Sequence, residues 1–285
     1  MIHRENKLLV ASSVALSLLL AACGDDKTGP SAGHDAYVAP DVAPLSCAPD
    51  LDGTLTAGEL PTVYDVPAQY LINPAGKDRA VDVAGVLSGA TRTWSFGVDF
   101  ADDQALSVTA THLVGKWYAT SFPEGQFVTP EDAGATLEAI YRRDDAGVYL
   151  LGIASSSEGP PEGKTLIAYQ KAILVAKLPL APGASWISSS DVIGGTIRGL
   201  PYAGKDTYEV TDDAIGRLVT HDYTFDQVHR VRTKVTVSPS AGKAVVRRQV
   251  SFFTECLGEV VRAVSKDDEP SEDFTDAAEL RRLGM

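Results

Sequence analysis

Two stretches of two-residue alternation constrain this chain more than any other feature. Val228-His-Arg-Val-Arg-Thr-Lys-Val-Thr-Val237 interleaves apolar or Thr residues with charge. Ser238-Pro-Ser-Ala-Gly242 turns the chain, and Lys243-Ala-Val-Val-Arg-Arg-Gln-Val-Ser-Phe-Phe253 returns. Successive side chains of a strand point to opposite faces, so each segment acquires one charged and one apolar face. Two such strands predict an antiparallel sheet that is wet on one side.

The same signals recur. Residues 136–143 and 147–154 flank Asp144-Asp-Ala-Gly147, a predicted hairpin with an Asp/Gly turn. Residues 206–211 and 217–225 flank a predicted turn at 212–216, and 258–265 forms a further strand. Residues 274–283 fit either a short helix capped by Thr275 or a last strand. The charged, turn-forming run 266–273 favours a strand antiparallel to 258–265. Helical periodicity is scarce; residues 130–139 are predicted to hold one short helix, with Thr129 as N-cap and Pro130 in its first turn. No internal repeat of 20 to 50 residues is visible. The expected fold is therefore mainly β: a large curved antiparallel sheet or open half-barrel with at most one or two short helices.

The N-terminus carries a different signal. Arg4 and Lys7 precede a stretch of Leu, Val and Ala over residues 8–20, diluted by Ser12, Ser13 and Ser17. A spanning helix needs about 20 apolar residues, so this run is too short and fits the apolar region of a secretory signal. It ends in Leu20-Ala21-Ala22-Cys23-Gly24, which resembles the lipobox of bacterial lipoproteins. The resemblance implies cleavage before Cys23, a diacylglycerol thioether on its thiol and an acyl chain such as palmitate on the new amine. Residues 1–22 would then be the signal peptide, and the lipid bilayer the partner of acylated Cys23. The alternative is an ordinary secretory signal followed by a chance cysteine. Each buried methylene contributes about 0.8 kcal/mol, so two or three chains anchor stably where one does not. Gly24 in place of Asp after the cysteine points to the outer membrane of a Gram-negative cell envelope.

Residues 24–46 are rich in Asp, Ala, Gly and Pro, with Tyr37 the one aromatic residue. They read as a flexible tether with a root-mean-square reach of roughly 25 Å. Residues 47–285 then form a single β-rich domain. Losing Arg4, Lys7 and Glu5 with the signal takes the net charge from −13 to −14. That balance argues against a nucleic-acid partner, which needs a basic face, and against charge-driven adsorption to an anionic bilayer.

The C-terminal third resembles a family of uncharacterised lipoproteins of large-genome Gram-negative bacteria. The likeness lies in Gly183-Ala-Ser-Trp186, Tyr208-Glu-Val, Val231-Arg-Thr233, Phe252-Phe-Thr-Glu-Cys-Leu-Gly-Glu-Val260 and Phe274-Thr-Asp-Ala-Ala-Glu-Leu-Arg-Arg-Leu283. Many members also carry an Asp-rich segment after the tether. The β layout is similar to the curved half-barrels of periplasmic lipoprotein carriers, a likeness without motifs.

That Asp-rich segment is Ala48-Pro-Asp-Leu-Asp-Gly-Thr-Leu-Thr-Ala-Gly-Glu59. Asp50, Asp52, Thr54, Thr56 and Glu59 match an EF-hand loop from its third position on, with Gly53 at the sharp turn and Leu55 pointing inward. Ala48 occupies the first position and Pro49 and Pro61 replace the flanking helices. A Ca²⁺ site here would be weak; the other reading is an Asp-Gly turn followed by a capped turn. Cys47 and Cys256 are an even pair in an exported chain, which favours a structural disulfide.

Catalytic constellations are not evident. His221 and His229 lie near Asp222 and Asp226 but read as surface strand residues, and no nucleophile elbow, zinc helix or phosphate loop occurs. The pairs Asp102-Asp103, Asp144-Asp145, Asp212-Asp213 and Asp267-Asp268 read as solvated turns. Ser155-Ser-Ser157 and Ser188-Ser-Ser190 read as turn or edge segments, and Gly194-Gly195 as a bend or bulge. The expected function is a membrane-anchored, non-enzymatic structural or binding domain. The alternative is a carrier-like module holding an acyl chain or other apolar ligand on a concave sheet.

Overall fold

A computed structural model describes residues 47–132 and 134–284. The signal peptide, Cys23 and the tether lie outside the described residues. The described chain is one large, mainly antiparallel sheet of sixteen strands, not closed into a barrel. In chain order the strands are β1 (Ala68–Ile72), β2 (Arg79–Ala80), β3 (Val86–Ser88), β4 (Thr91–Phe96), β5 (Gln104–Val108), β6 (Thr111–His112), β7 (Phe127–Pro130) and β8 (Leu137–Asp144). There follow β9 (Gly147–Ser155), β10 (Leu166–Lys177), β11 (Ser185–Ile197), β12 (Leu200–Thr220), β13 (Thr224–Pro239), β14 (Val245–Thr254), β15 (Gly258–Ser265) and β16 (Asp276–Leu283).

The main path runs β5-β1-β16-β15-β14-β13-β12-β11-β10-β9-β8-β7-β6. Its two terminal strands, β5 and β6, are neighbours in sequence, separated by Thr109 and Ala110 alone. Consecutive Cα atoms are about 3.8 Å apart, so the two edges must approach each other. A second observation agrees. β16 and β7 stand nine strand-to-strand steps apart, about 43 Å in a flat sheet at about 4.8 Å per step. Yet the Arg281 guanidinium of β16 donates to the carbonyl of Glu131, just past β7, at 3.2 Å. The sheet is rolled, and the face bearing Arg281 is the inner one.

Both faces are covered. Inside, Leu55, Leu178, Leu180, Val210 and Val231 pack together where the Asp-rich segment meets the sheet, and Leu55 exchanges backbone hydrogen bonds with Leu180. Ala139, Leu150 and Ile173 form a second inner cluster, Tyr70, Ile72 and Leu106 a third. Outside, Trp94 and Phe96 of β4 cover Val250, Phe252, Val261 and Leu280. Tyr118 and Phe122 cover Val128, Ile140 and Leu151. The expectation of a wet charged face holds at the end of the hairpin that bears Lys234, which is half-exposed beside Glu209, and is corrected at the other end. Arg230 of β13 is buried, paired with Asp213 at 2.8 Å and donating to the carbonyls of Val83 and Ala84. Arg282 likewise reaches the carbonyls of Phe96 and Val98 and the carboxylate of Asp103. Buried arginines thus hold the 79–103 segment on the outer face, their charge met by carboxylates and carbonyls.

Several expected elements stand as read. The hairpin β8–β9 turns at Asp145-Ala146, with Asp144 Oδ1 accepting from the amides of Ala146 and Gly147. β13 and β14 pair in register from His229↔Phe253 to Val237↔Val245, and β16 runs antiparallel to β15. Gly194-Gly195 lies at a bulge in β11.

Others are corrected. Thr129 and Pro130 belong to β7 and residues 137–139 to β8, so the described residues of 130–139 form no helix; the one described helical turn is Ala119–Ser121. Thr129 pairs with Ala139 across the two strands, which supplies the hydrogen bonds a helix would have made internally. The turn expected at 212–216 is a bulge inside β12, which runs unbroken to Thr220 and turns at 221–223. That bulge lets one strand serve two partners, β11 over its first half and β4 in parallel over its last five residues. Ser188-Ser-Ser190 sits within β11. Between Tyr169 and Lys177 the β10–β11 backbone ladder opens, and Ser190 Oγ and Ser188 Oγ accept from the amides of Lys171 and Leu174 at 2.8 and 2.9 Å.

Candidate functional site: the polar inner face

β12 sends alternate residues inward, so Tyr202, Gly204, Asp206, Tyr208 and Val210 share the inner face. From β10, on the far side of β11, Tyr169 donates its hydroxyl to Asp206 Oδ2 at 2.7 Å. Asp206 is 5% exposed and its Oδ1 has no partner. Burial pushes the Asp206 carboxyl up, against the pull of the Tyr169 hydrogen bond. Burial likewise holds the hydroxyls of Tyr169, Tyr208 and Tyr141 well above the usual range.

The opposite wall comes from β15, β16 and β1. Arg262 grips Glu259 with Nε at 2.9 Å and Nη2 at 2.8 Å. Burial opposes ionisation of both, but their mutual attraction prevails: Glu259 stays below the usual carboxylate range and Arg262 stays charged. Arg281 lies 3.2 Å from Glu279, and its Nε has no hydrogen-bond partner. Glu131 faces this wall; burial raises its carboxyl, only partly offset by Arg262 and Arg281. Tyr70 donates to the Glu259 carbonyl at 2.6 Å, and its hydroxyl is pushed up to about 12, chiefly by burial. Tyr141, Tyr208, Glu131 and Arg262 lie within electrostatic reach of one another across the roll.

The Asp-rich segment takes a form the sequence reading anticipated only in part. Gly53 has φ +83°, as its sharp turn requires, and Leu55 is fully buried. Asp50 and Asp52 come together with Glu255, a residue the sequence reading missed although it adjoins Cys256. Thr54 contributes its amide to Asp52 Oδ1 at 2.8 Å. Glu59 does not face the loop centre. Its Oε2 accepts from the amide and hydroxyl of Thr56 at 2.8 and 2.7 Å, the capped-turn alternative. Glu255 Oε2 accepts from the amides of Asp50 and Leu51. Cys47 and Cys256 are disulfide-bonded with Cα atoms 5.5 Å apart, which fastens the segment to the β14–β15 turn.

His229 is not a surface residue. It is 1% exposed, and its Nδ1 lies 2.8 Å from Oδ2 of fully buried Asp212 at the β12 bulge. His221 stays exposed, 3.9 Å from Asp222. Of the adjacent carboxylates, Asp103 and Asp212 have buried, ion-paired side chains: Asp103 meets Arg79 and Arg282 from β2 and β16, and Asp212 meets His229 from the adjoining β13. Asp267 and Asp268 remain exposed, paired with Arg247 and Lys243. Asp144 is also exposed, beside Arg142.

The inner polar group was missed by the sequence reading. The one signal that could have found it is Tyr202-x-x-x-Asp206-x-Tyr208, polar or aromatic residues at inward positions of one strand. Among the described residues no helix is long and apolar enough to cross a membrane. The chain matches no protein-family model, no curated protein and no solved structure.

Proposed function

We propose that the chain is an exported lipoprotein of the Gram-negative envelope, acylated at Cys23 and held in the outer membrane, whose β domain is a non-enzymatic binding module. The observation that carries the export half is the Cys47–Cys256 disulfide, a pair that persists in oxidising compartments and is rare in the cytosol. It supports the same address as the lipobox-like segment at Cys23. The binding half rests on the inner face, where polar groups from β8, β10, β12, β15 and β16 converge. An acyl chain suits that face poorly. Arg262, Arg281 and Glu259 would lose hydration against it without gaining partners.

Labelling with radioactive palmitate and fractionation of the envelope test the address. The intact protein takes up label and sediments with outer membrane, whereas Cys23→Ser takes up none and is released or left unprocessed. Label retained by Cys23→Ser would refute the lipoprotein reading.

A further inference from the structure

We propose that a cleft beside the β8–β9 turn binds a small zwitterion of the amino-acid type, its carboxylate on Arg143 and its ammonium on Asp145. None of the cleft's residues belongs to the polar inner face that carries the binding-module reading, so this inference goes beyond that reading and is tested apart from it.

The cleft has a volume of about 410 Å³, and Thr62, Tyr64, Gln126, Arg143, Asp144 and Asp145 are among its lining. Small-molecule sites usually span roughly 300–1,000 Å³. One wall is the 57–64 segment, held by the Leu55–Leu180 backbone pair and by Arg143, whose Nη2 donates to the Ala57 carbonyl. Tyr64 lies flat on His112, with ring centroids 4.1 Å apart, and meets Phe127 edge to face at 6.3 Å. Backbone pairing with Ala110 fixes this stretch further. The ring is therefore a rigid part of the wall.

The fold leaves two opposite charges unmatched in this cleft. Among the described residues Arg143 has no ion-pair partner; its Nη1 makes no hydrogen bond and reaches solvent. Asp145 is exposed and without a partner, whereas Asp144 is already engaged by Arg142 and the amides of Ala146 and Gly147. Gln126 gives its Oε1 to the Arg143 amide at 2.9 Å, which leaves its amide nitrogen free to donate. The charged cleft of about 200 Å³ on the outer face has no such surplus. There Arg232 is matched by Asp213 and Asp273, Lys234 by Glu209 and Arg248 by Glu272.

These leftover charges select the ligand. An anion alone meets Asp144 and Asp145, a cation alone meets Arg143, and a neutral molecule displaces water from both charges without replacing it. A zwitterion supplies both counter-charges at once. Its carboxylate accepts charge-assisted hydrogen bonds from Arg143 Nη1, and its ammonium donates to Asp145. Tyr64 offers its ring to an aromatic side chain.

The full-length protein in detergent is titrated calorimetrically at neutral pH with L-phenylalanine, 3-phenylpropionate and phenethylamine. The three share a ring and carry both charges, the anion alone and the cation alone. L-Phenylalanine is expected to bind in the millimolar range, and each singly charged analogue at least about fivefold more weakly. Asp145→Asn changes a side chain that holds nothing in the fold. It should weaken L-phenylalanine at least about fivefold and leave 3-phenylpropionate no weaker. Arg143→Gln should weaken L-phenylalanine about tenfold; if it does not fold, Asp145→Asn decides alone. Circular dichroism and melting establish that each variant is folded. Undiminished L-phenylalanine binding by folded Asp145→Asn would overturn the proposal, as would a singly charged analogue that binds equally well. Failure of all three probes would overturn the cleft as a site and leave the inner-face reading standing.

Discussion

Removing the disulfide is the most quantitative perturbation the structure offers. Cys47 and Cys256 are 209 residues apart in sequence. In the chain-entropy model, closing a loop of that length lowers the entropy of the unfolded chain by about 18 cal/mol/K, or about 5 kcal/mol at 25 °C. The bridge also holds native contacts together: Cys256 donates its amide to the Glu59 carbonyl at 2.6 Å, and Glu255 caps Asp50 and Leu51. These survive the change to serine at lower effective concentration. The double variant Cys47→Ser/Cys256→Ser should therefore lose about 4–5 kcal/mol, much of the 5–15 kcal/mol typical of a folded domain. Urea unfolding followed by tryptophan fluorescence reads this directly. With a slope near 2–3 kcal/mol/M, the midpoint should fall by about 2 M, and the slope should rise as the unfolded chain expands. A midpoint shift below about 0.5 M at unchanged slope would refute the reasoning. It would mean that the bridge does not restrict the unfolded ensemble.

The remaining expectations concern local features. At Gly216 a Cβ would stand 2.2 Å from the Arg92 carbonyl oxygen and 2.9 Å from the Trp94 ring, so Gly216→Ala should push β4 off β12. A loss of about 1–3 kcal/mol with red-shifted Trp94 emission is expected, and an unchanged melt would count against the β4–β12 contact. The Tyr70 hydroxyl ionises near 10 in an unfolded chain but only at about 12 when folded. Its contribution is complete below pH 10 and is lost as the pH rises to 12, because the unfolded state ionises first; the loss is about 3 kcal/mol. Tyr70→Phe should flatten that alkaline decline, and an identical decline in both proteins would disprove the assignment. At the Asp-rich segment, Glu59→Gln should weaken the Thr56 cap by about 1 kcal/mol. Glu59 and Glu255 are already hydrogen-bonded, so a chelator should leave the parent's melt unchanged. A chelator-induced fall of several degrees would instead establish the Ca²⁺ reading.

Strand content was legible because it depends on local pattern. The alternation of 228–237 and 245–253 shows on any reading, and so does the Asp144–Gly147 turn, whose side chain meets amides two and three residues away. The even cysteine pair likewise followed from count and compartment alone. The strand at 276–283 was separable from a helix only through its neighbours' charge.

What the tertiary structure decided is where the faces went. A strand's pattern says that its two sides differ, not which lies inside a roll or what else lies on it. Arg230 reads as solvent-facing charge until segment 79–103 crosses over it with its carbonyls. His229 and Asp212 read as surface groups until a bulge turns them toward each other. Beyond Tyr202-x-x-x-Asp206-x-Tyr208 the polar inner face has no sequence signature, because its members are spread from Tyr70 to Arg281. Only the rolling of the sheet, which brings strands nine steps apart into contact, assembles them.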